Sequence, residues 1–321
     1  NLSSNGPPDL VVENPRIYYG ESPDNYVIVN SNTAELDYQT GGGDLIKVHY
    51  QGSGGVQVGS FLRKLVYAWQ MRDVNILISD ELKKASRIQY RRNIQERVKI
   101  IAPYLSLDKD PYSIVADGQI FWVQDAYTTS DSFPYSDPLV SEDITGSFNY
   151  IRNSVKIVID AYNGNVEFYV WDKNDPIAVT YSKIFPELYL DGSSMPESIK
   201  AHIRYPQGYF QAQSEKYLRY HMRDSQNFYG NEDLWSFPNE KFGQSENLQI
   251  VKPYYVMMRL PGELKEEFVL LLPYTPVGRP NMVGWLAARS DGNNYGKLVA
   301  FNFPKDRQVD GPEQVEARID N

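Results

Sequence analysis

Apolar and polar positions alternate along VKIVIDAYNGNVEFYVWD, Val155 to Asp172, on both sides of Asn163-Gly164. Period-two alternation puts successive side chains on opposite faces of a strand, and Asn-Gly supplies the positive φ angles of a two-residue type I′ turn. The pattern predicts strands over Val155 to Asp160 and Val166 to Trp171 with that turn between them. SIVADGQIFWVQDAY, Ser113 to Tyr127, follows the same plan with Asp117-Gly118 at its turn. Both hairpins contain Asp-Ala-Tyr, but it closes the outgoing strand of the first and ends the incoming strand of the second, so the two are not a repeat. The four strands form a meander, adjacent in one antiparallel sheet.

Upstream, NYVIVN and DLIKVHY have strand character, the second entered through a Gly41-Gly42-Gly43 turn. In GSFLRKLVYAWQM the period changes: Leu62, Leu65, Val66 and Trp69 form one helical face behind a Ser60 N-cap. Asn93 caps a shorter helix, IQERVKII, which Pro103 stops. Ser194 and Pro196 start PESIKAHIR, and Pro206 opens a helix running through Tyr217 and Leu218 to His221. Strands return in PYYVMMRL, EEFVLLLPY and KLVAFNF, and GPEQVEARID closes the chain as a helix with Pro312 near its first turn. Strands and helices come in blocks, so the fold class is α+β: mainly antiparallel sheet with hairpins and several short helices, with room for two lobes. The polar stretch FPNEKFGQSENLQ, Phe237 to Gln249, is the best boundary. The expected organisation is a flexible start over 1–13, an α+β lobe with the meander over 14–240, and a strand-rich lobe over 241–321 packed on it.

Composition narrows the function. Among 321 residues 25 are Tyr, which suits broad half-buried sheets or aromatic-lined grooves. A net charge of −9 argues against nucleic acid as a partner, because phosphate binding needs a basic footprint. One stretch, LKKASRIQYRRNIQERVK, Leu82 to Lys99, is locally basic; it is either a solvated face or a surface for anionic lipid or polymer. The absence of cysteine excludes disulfides, thiol catalysis and Cys-ligated zinc within these residues. No apolar run approaches the ~20 residues of a membrane-spanning helix. The chain opens on Asn1 rather than methionine, which raises the expectation of a piece of something longer.

Candidate chemistry is sparse. HYQGSGGVQVGSFLRK has the outline of strand, glycine loop and helix, but Gln57 stands where the dinucleotide fingerprint needs Gly and the Gly-Lys-Ser/Thr of a P-loop is missing. His49, His202 and His221 lie far apart in sequence and show no zinc-protease spacing, and no Gly-x-Ser-x-Gly elbow is present. SDGNNYG offers Asp291, Asn293 and Tyr295 as a faint calcium loop, with Asn302 where the closing Glu belongs. No metal ligand set, cofactor motif or catalytic motif is expected. The candidate ligand-binding residues are Asp125, Tyr127, Thr128 and Thr129, in IFWVQDAYTTSDSFPYS. Either they form a polar centre in an aromatic groove, or Asp125 fixes a strand-end turn with Thr128 and Thr129 donating to it. On the structural reading Asp125→Ala destabilises the fold by roughly 1–3 kcal/mol.

NPRIYYGE, RVKIIAPYLSLDKDPY, DAYTTSDSFPYS, YIRNSVKIVIDAYNG, HIRYPQGYFQAQSEKYLRYHM and GPEQVEARID closely resemble uncharacterised protein family 0182, in order and from Asn14 onward. The resemblance implies a bacterial multipass membrane protein, with N-terminal transmembrane helices followed by a large soluble region outside the cytoplasmic membrane. This chain would be part of that region, tethered to the cell membrane in the full-length protein. The family carries no assigned activity or catalytic residues. The expected function is an extracytoplasmic binding or interaction module, with self-association or an envelope polymer as open partner classes. The alternatives are a cell-envelope hydrolase with paired carboxylates and a structural scaffold.

Overall fold

The computed structural model describes residues 11–319 except 40, 142, 145, 242–247 and 305. Most of the expected flexible start and the middle of the expected boundary stretch therefore lie outside the described residues.

The two hairpins of the meander turn in different ways. Ala116 pairs with Gln119, and the two residues between them, Asp117 and Gly118, take φ of 49° and 74°, as a type I′ turn requires. In the second hairpin the paired strands are present, but the turn is not the expected two-residue one. Its last strand pair is Ile159 with Val166, Asp160 N donates to Asn165 O, and Gly164 alone in the loop is left-handed. Side-chain bonds explain the longer loop. The Asp160 carboxylate accepts from the Tyr162 and Asn163 amides, while Asn163 Oδ1 accepts from Tyr50 Oη and Ser53 N. This local competition holds Asn163 out of the left-handed region.

These strands build a six-stranded sheet: β1 (Ser106–Leu107), β2 (Tyr112–Ala116), β3 (Gln119–Ser130), β4 (Tyr150–Asp160), β5 (Val166–Val170) and β6 (Tyr189–Asp191). The order is β6-β5-β4-β3, with β1 and β2 sharing the far edge of β3. β6 runs parallel to β5, whereas β5 is antiparallel to β4, and β1 and β2 are antiparallel to β3. The α+β class holds, with mostly antiparallel sheet and short helices.

The chain groups into two compact units that interleave along the sequence: 1–107, 111–129 and 152–199 in one, and 108–110, 130–151 and 200–321 in the other. In the first unit, Trp122 and Ala126 of β3 and Val155, Ile157 and Ile159 of β4 form a core with α3 (Ile94–Ile101) and α4 (Pro176–Ile184). Asn93 caps α3 by accepting from Glu96 N at 2.9 Å. Asp175 caps α4, with Pro176 in its first turn. A small three-stranded sheet (Val27–Val29, Arg87–Gln89, Val56–Gln57) carries α1 (Phe61–Met71) and α2 (Asn75–Ile78) through Val58, Ile76 and Ile88.

The apolar face of α1 is unusual. Ser60 caps the helix as its sequence indicates, through Arg63 N. The stripe that packs inward is Tyr67, Ala68 and Met71. Leu62, Leu65, Val66 and Trp69 face solvent, with Trp69 83 % exposed.

The second unit is built on β9 (Glu267–Pro276). β10 (Gly284–Arg289) and then β11 (Leu298–Asn302) lie on one side of it, and β7 (Trp235–Ser236) and β8 (Tyr254–Met258) share the other. The continuous apolar run of β9 is buried on both faces. Leu270, Leu272 and Tyr274 join Phe210 of α6 (Gln207–Tyr220) and Trp235, whereas Val269 joins Leu260 and Ala287 on the reverse face. Three short helices complete the elements used below: α5 (Glu197–Lys200), α7 (Ser225–Gly230) and α8 (Pro312–Ile319).

Candidate functional site

Strand alternation places Asp125 on the face of β3 opposite Trp122 and Ala126, and Lys156 on the face of β4 opposite Val155 and Ile157. The two side chains meet there as an ion pair, Asp125 2 % and Lys156 0 % exposed. Asn153 Nδ2 donates to the same carboxylate at 3.0 Å, and the Lys156 ammonium lies 5.8 Å from the centre of the Trp171 ring. A charge this deep is tolerable only when paired and hydrogen-bonded.

Thr128 does not donate to Asp125. Its Oγ1 donates to Asp175 Oδ2 at 2.6 Å, as does Ser154 Oγ. Asp175 also accepts from Ile177 N and Ala178 N at the start of α4, so one buried carboxylate caps a helix and ties two strands to it. Thr129 is half-buried and shares a hydrogen bond with Ser106 Oγ at 3.2 Å, and Tyr127 is fully buried. Of the four candidate residues, then, three are sealed and the fourth pairs with the neighbouring strand. Asp125 and Thr128 anchor two separate polar clusters. Each cluster uses its acid to satisfy buried donors, which is structural chemistry.

Lys156, Asn153 and Asp175 are the partners that sequence reasoning missed. A lysine inside the apolar run VKIVID was one available signal, since such a position needs a buried acid. Asp-Pro at 175–176 was another, being an N-cap followed by proline in the first helical turn.

Most of the other sequence candidates also have structural partners. Gly54 N donates to Tyr50 Oη, and the Gly52 and Gly54 backbones pack so closely on Tyr50 and Asn163 that a Cβ would collide with them. The glycine loop seats a hairpin rather than a phosphate. The His221 ring stacks on Trp235 at 3.6 Å, and His202 is exposed. Asp291 Oδ2 accepts from Phe268 N at 2.9 Å, which ties its loop to β9. Among the described residues no group of three or more His, Asp or Glu gathers to hold a metal.

The second unit does present an open apolar groove of about 470 Å³, between α8 and the outer face of the sheet. Tyr254, Met258, Pro273 and Trp285 form its floor and Val315 its α8 wall, with Asp310 and Glu316 at its edge. Trp285 is held flat by stacking on Phe301, 4.1 Å between ring centres. The approach to α8 is fixed by Met282 N donating to Val309 O and by Gly311 N donating to Gln314 Oε1. Apolar floors with a few polar groups at the edge are the usual form of ligand grooves.

The described residues thus form an α+β structure of mostly antiparallel sheet, with two buried polar clusters and an open apolar groove. The chain belongs to the family described as "Uncharacterised protein family (UPF0182)", whose model matches residues 1–321. It is similar to a UPF0182 protein of Pelotomaculum thermopropionicum, at 50% identity over 99% of this chain and 34% of that relative. It is also similar to one from Trichodesmium erythraeum, at 48% identity over 97% of this chain and 35% of the relative. The chain thus spans about a third of the length of the curated relatives it matches. No solved structure matches it. Among the described residues no helix is long and apolar enough to cross a membrane.

Proposed function

We propose that this region is an extracytoplasmic binding or interaction module of a larger, membrane-anchored protein. The observation that carries the binding role is the α8 groove, whose aromatic and aliphatic floor is preformed by sheet pairing and by Trp285 stacking. Its chemistry suits an extended apolar segment or an apolar small molecule. The anchored, extracytoplasmic setting is supported by the sequence resemblance and by the share of each relative that the chain spans.

Two experiments test the two halves. Val315 is exposed on α8, so Val315→Arg keeps the fold while placing a charge in the groove. Nile red bound by the 321-residue chain should be partly lost in that variant, and unchanged dye binding removes the groove as a site. For the setting, the 321-residue region has no cysteine, so a cysteine at exposed Leu264 gives it a unique label site. In intact cells expressing the full-length protein, after removal of any native cysteines outside this region, a membrane-impermeant maleimide should label that position. Labelling only after lysis overturns the extracytoplasmic assignment.

A further inference from the structure

Among the described residues nothing covers the outward apolar stripe of α1, which is bordered by the exposed Arg63 and Gln70. Phe61, Leu62, Leu65, Val66 and Trp69 fall within about 140° of arc at 100° per residue. They are 68, 73, 46, 55 and 83 % exposed. The ledge continues beyond the helix: Leu65, Trp69 and Val74 line a hollow of about 680 Å³ together with Arg72. Ile78, whose amide donates to Val74 O, is also exposed. This face is not the spare side of a poorly placed helix, because Tyr67, Ala68 and Met71 already fix α1 to the unit. Seven large apolar side chains in one patch exceed the scattered exposure normal for a surface.

Charge indicates what covers it. Residues 61–72 contain Arg63, Lys64 and Arg72 and no acid, in a chain whose net charge is −9. Lys83 and Lys84 lie alongside, since Lys64 Nζ donates to Leu82 O and the backbone of Lys84 abuts Gly59. The first acid after the helix, Asp73, is half-buried and already engaged, accepting from Tyr26 Oη and from Asn75 N. Glu81 accepts from Thr33 Oγ1. A narrow apolar stripe that includes Trp and Phe, flanked by basic groups, is the composition of a helix lying in a lipid interface. A second protein chain fits less well, because a stable protein interface uses about 20–30 residues a side.

The geometry points to α1 as a docking element for an anionic lipid surface, with its Phe61–Trp69 face inserted and Arg63, Arg72, Lys83 and Lys84 against the headgroups. This inference is independent of the α8 groove and does not need the chain to be anchored by any other segment. The test is flotation of the 321-residue chain with vesicles of phosphatidylcholine alone and of phosphatidylcholine mixed with phosphatidylglycerol. The chain should float with the mixed vesicles, and less so as salt rises. Leu62→Gln/Val66→Gln/Trp69→Gln should keep its melting temperature and lose at least about tenfold in partitioning, given the apolar area withdrawn. If that triple variant misfolds, Arg63→Glu/Arg72→Glu should selectively weaken binding to the mixed vesicles. Failure of the wild-type chain to float, or partitioning unchanged in the variants, overturns the inference. So does concentration-dependent self-association that the triple variant abolishes in the absence of vesicle binding, since the occupant is then a second copy.

Discussion

At Asp125, the partner determines what mutation does. The sequence located the acid at a strand end and matched it with backbone amides or the neighbouring threonines, an arrangement in which truncation strands only neutral donors. The structure gives it Lys156, with both side chains almost wholly out of water. Removing the carboxylate leaves a buried ammonium, so Asp125→Ala should lose about 3–5 kcal/mol, more than an ordinary hydrogen-bond deletion. Asp125→Ala/Lys156→Met should recover much of that loss, since an apolar replacement of similar length needs no counter-charge. Urea melts of the wild type and the two variants check both statements; a double variant no better than Asp125→Ala would show that the stranded ammonium does not cause the loss. Sequence alone exposed the acid but not its partner, because the cation lies 31 positions away on a neighbouring strand whose register no local pattern fixes.

A second buried pair has a pH signature. Arg289 forks onto Glu267 and also donates to Glu263 Oε1 at 2.7 Å, and Asn294 Nδ2 donates to Glu267 at 2.9 Å. The Arg289 hydrogen bonds hold the Glu267 carboxyl below the usual carboxylate range, against the opposing effect of burial. A carboxylate depressed in the folded state contributes stability that is full above its unfolded pKa, about 4.3, and is lost as pH falls through the lower folded value. Glu267→Gln should therefore be less stable than wild type at neutral pH and show a flatter decline below about pH 4. Urea midpoints across that range measure it; parallel acid limbs would place the linkage elsewhere.

Among the elements, the strands and the capped helices were legible, because alternation and N-cap residues are local signals. The meander lies where Val155 to Trp171 and Ser113 to Tyr127 place it, and Ser60 and Asn93 cap the helices expected of them. The second turn and the outward face of α1 were not legible. Tyr50 and Ser53, more than 100 positions earlier, hold Asn163 in place, and the inward face of α1 was taken by a second apolar stripe. The left-handed glycines give a test at this scale. Gly164 has φ 74°, and a Cβ there would collide with the ring of Tyr19, which is fully buried with Arg97 stacked over it. Gly278 has nearly the same φ, 73°, and open space around it. Gly278→Ala should cost about 1–2 kcal/mol from backbone strain alone, and Gly164→Ala a further 1–3 kcal/mol or so from overpacking. Equal melting-temperature losses would mean that the Tyr19 ring yields freely.

At the scale of the whole chain, the organisation is interleaved. The second unit takes in 108–110 and 130–151 from the midst of residues that belong to the first. A hydrogen bond at the start of α6 gives a physical reason. Its N-cap position is Pro206, which has no side-chain acceptor, so the first-turn amides of a helix crossing the core would be left without one. Asp108 supplies it from 100 positions away: its buried Oδ2 accepts from Gly208 N at 3.0 Å, and its charge lies at the positive end of the helix. Asp110 adds an ion pair with Arg204, and Asp137 O accepts from Lys216 farther along α6. A helix whose cap comes from so far off cannot be excised by cutting at the helix. Residues 200–321 expressed alone should therefore lack a cooperative thermal transition, although they contain β7 to β11 complete. In the 321-residue chain, Asp108→Ala should cost about 0.5–2 kcal/mol, the usual range for a lost N-cap, while Asp108→Asn should recover part of it by keeping the acceptor without the charge. Hydrogen exchange localises the effect: the amides of the first turn of α6 should lose protection first in Asp108→Ala. Unchanged protection at Gly208 and Tyr209, or a fragment 200–321 that melts cooperatively, would show that α6 is held by its packing on Leu270, Leu272 and Tyr274 alone.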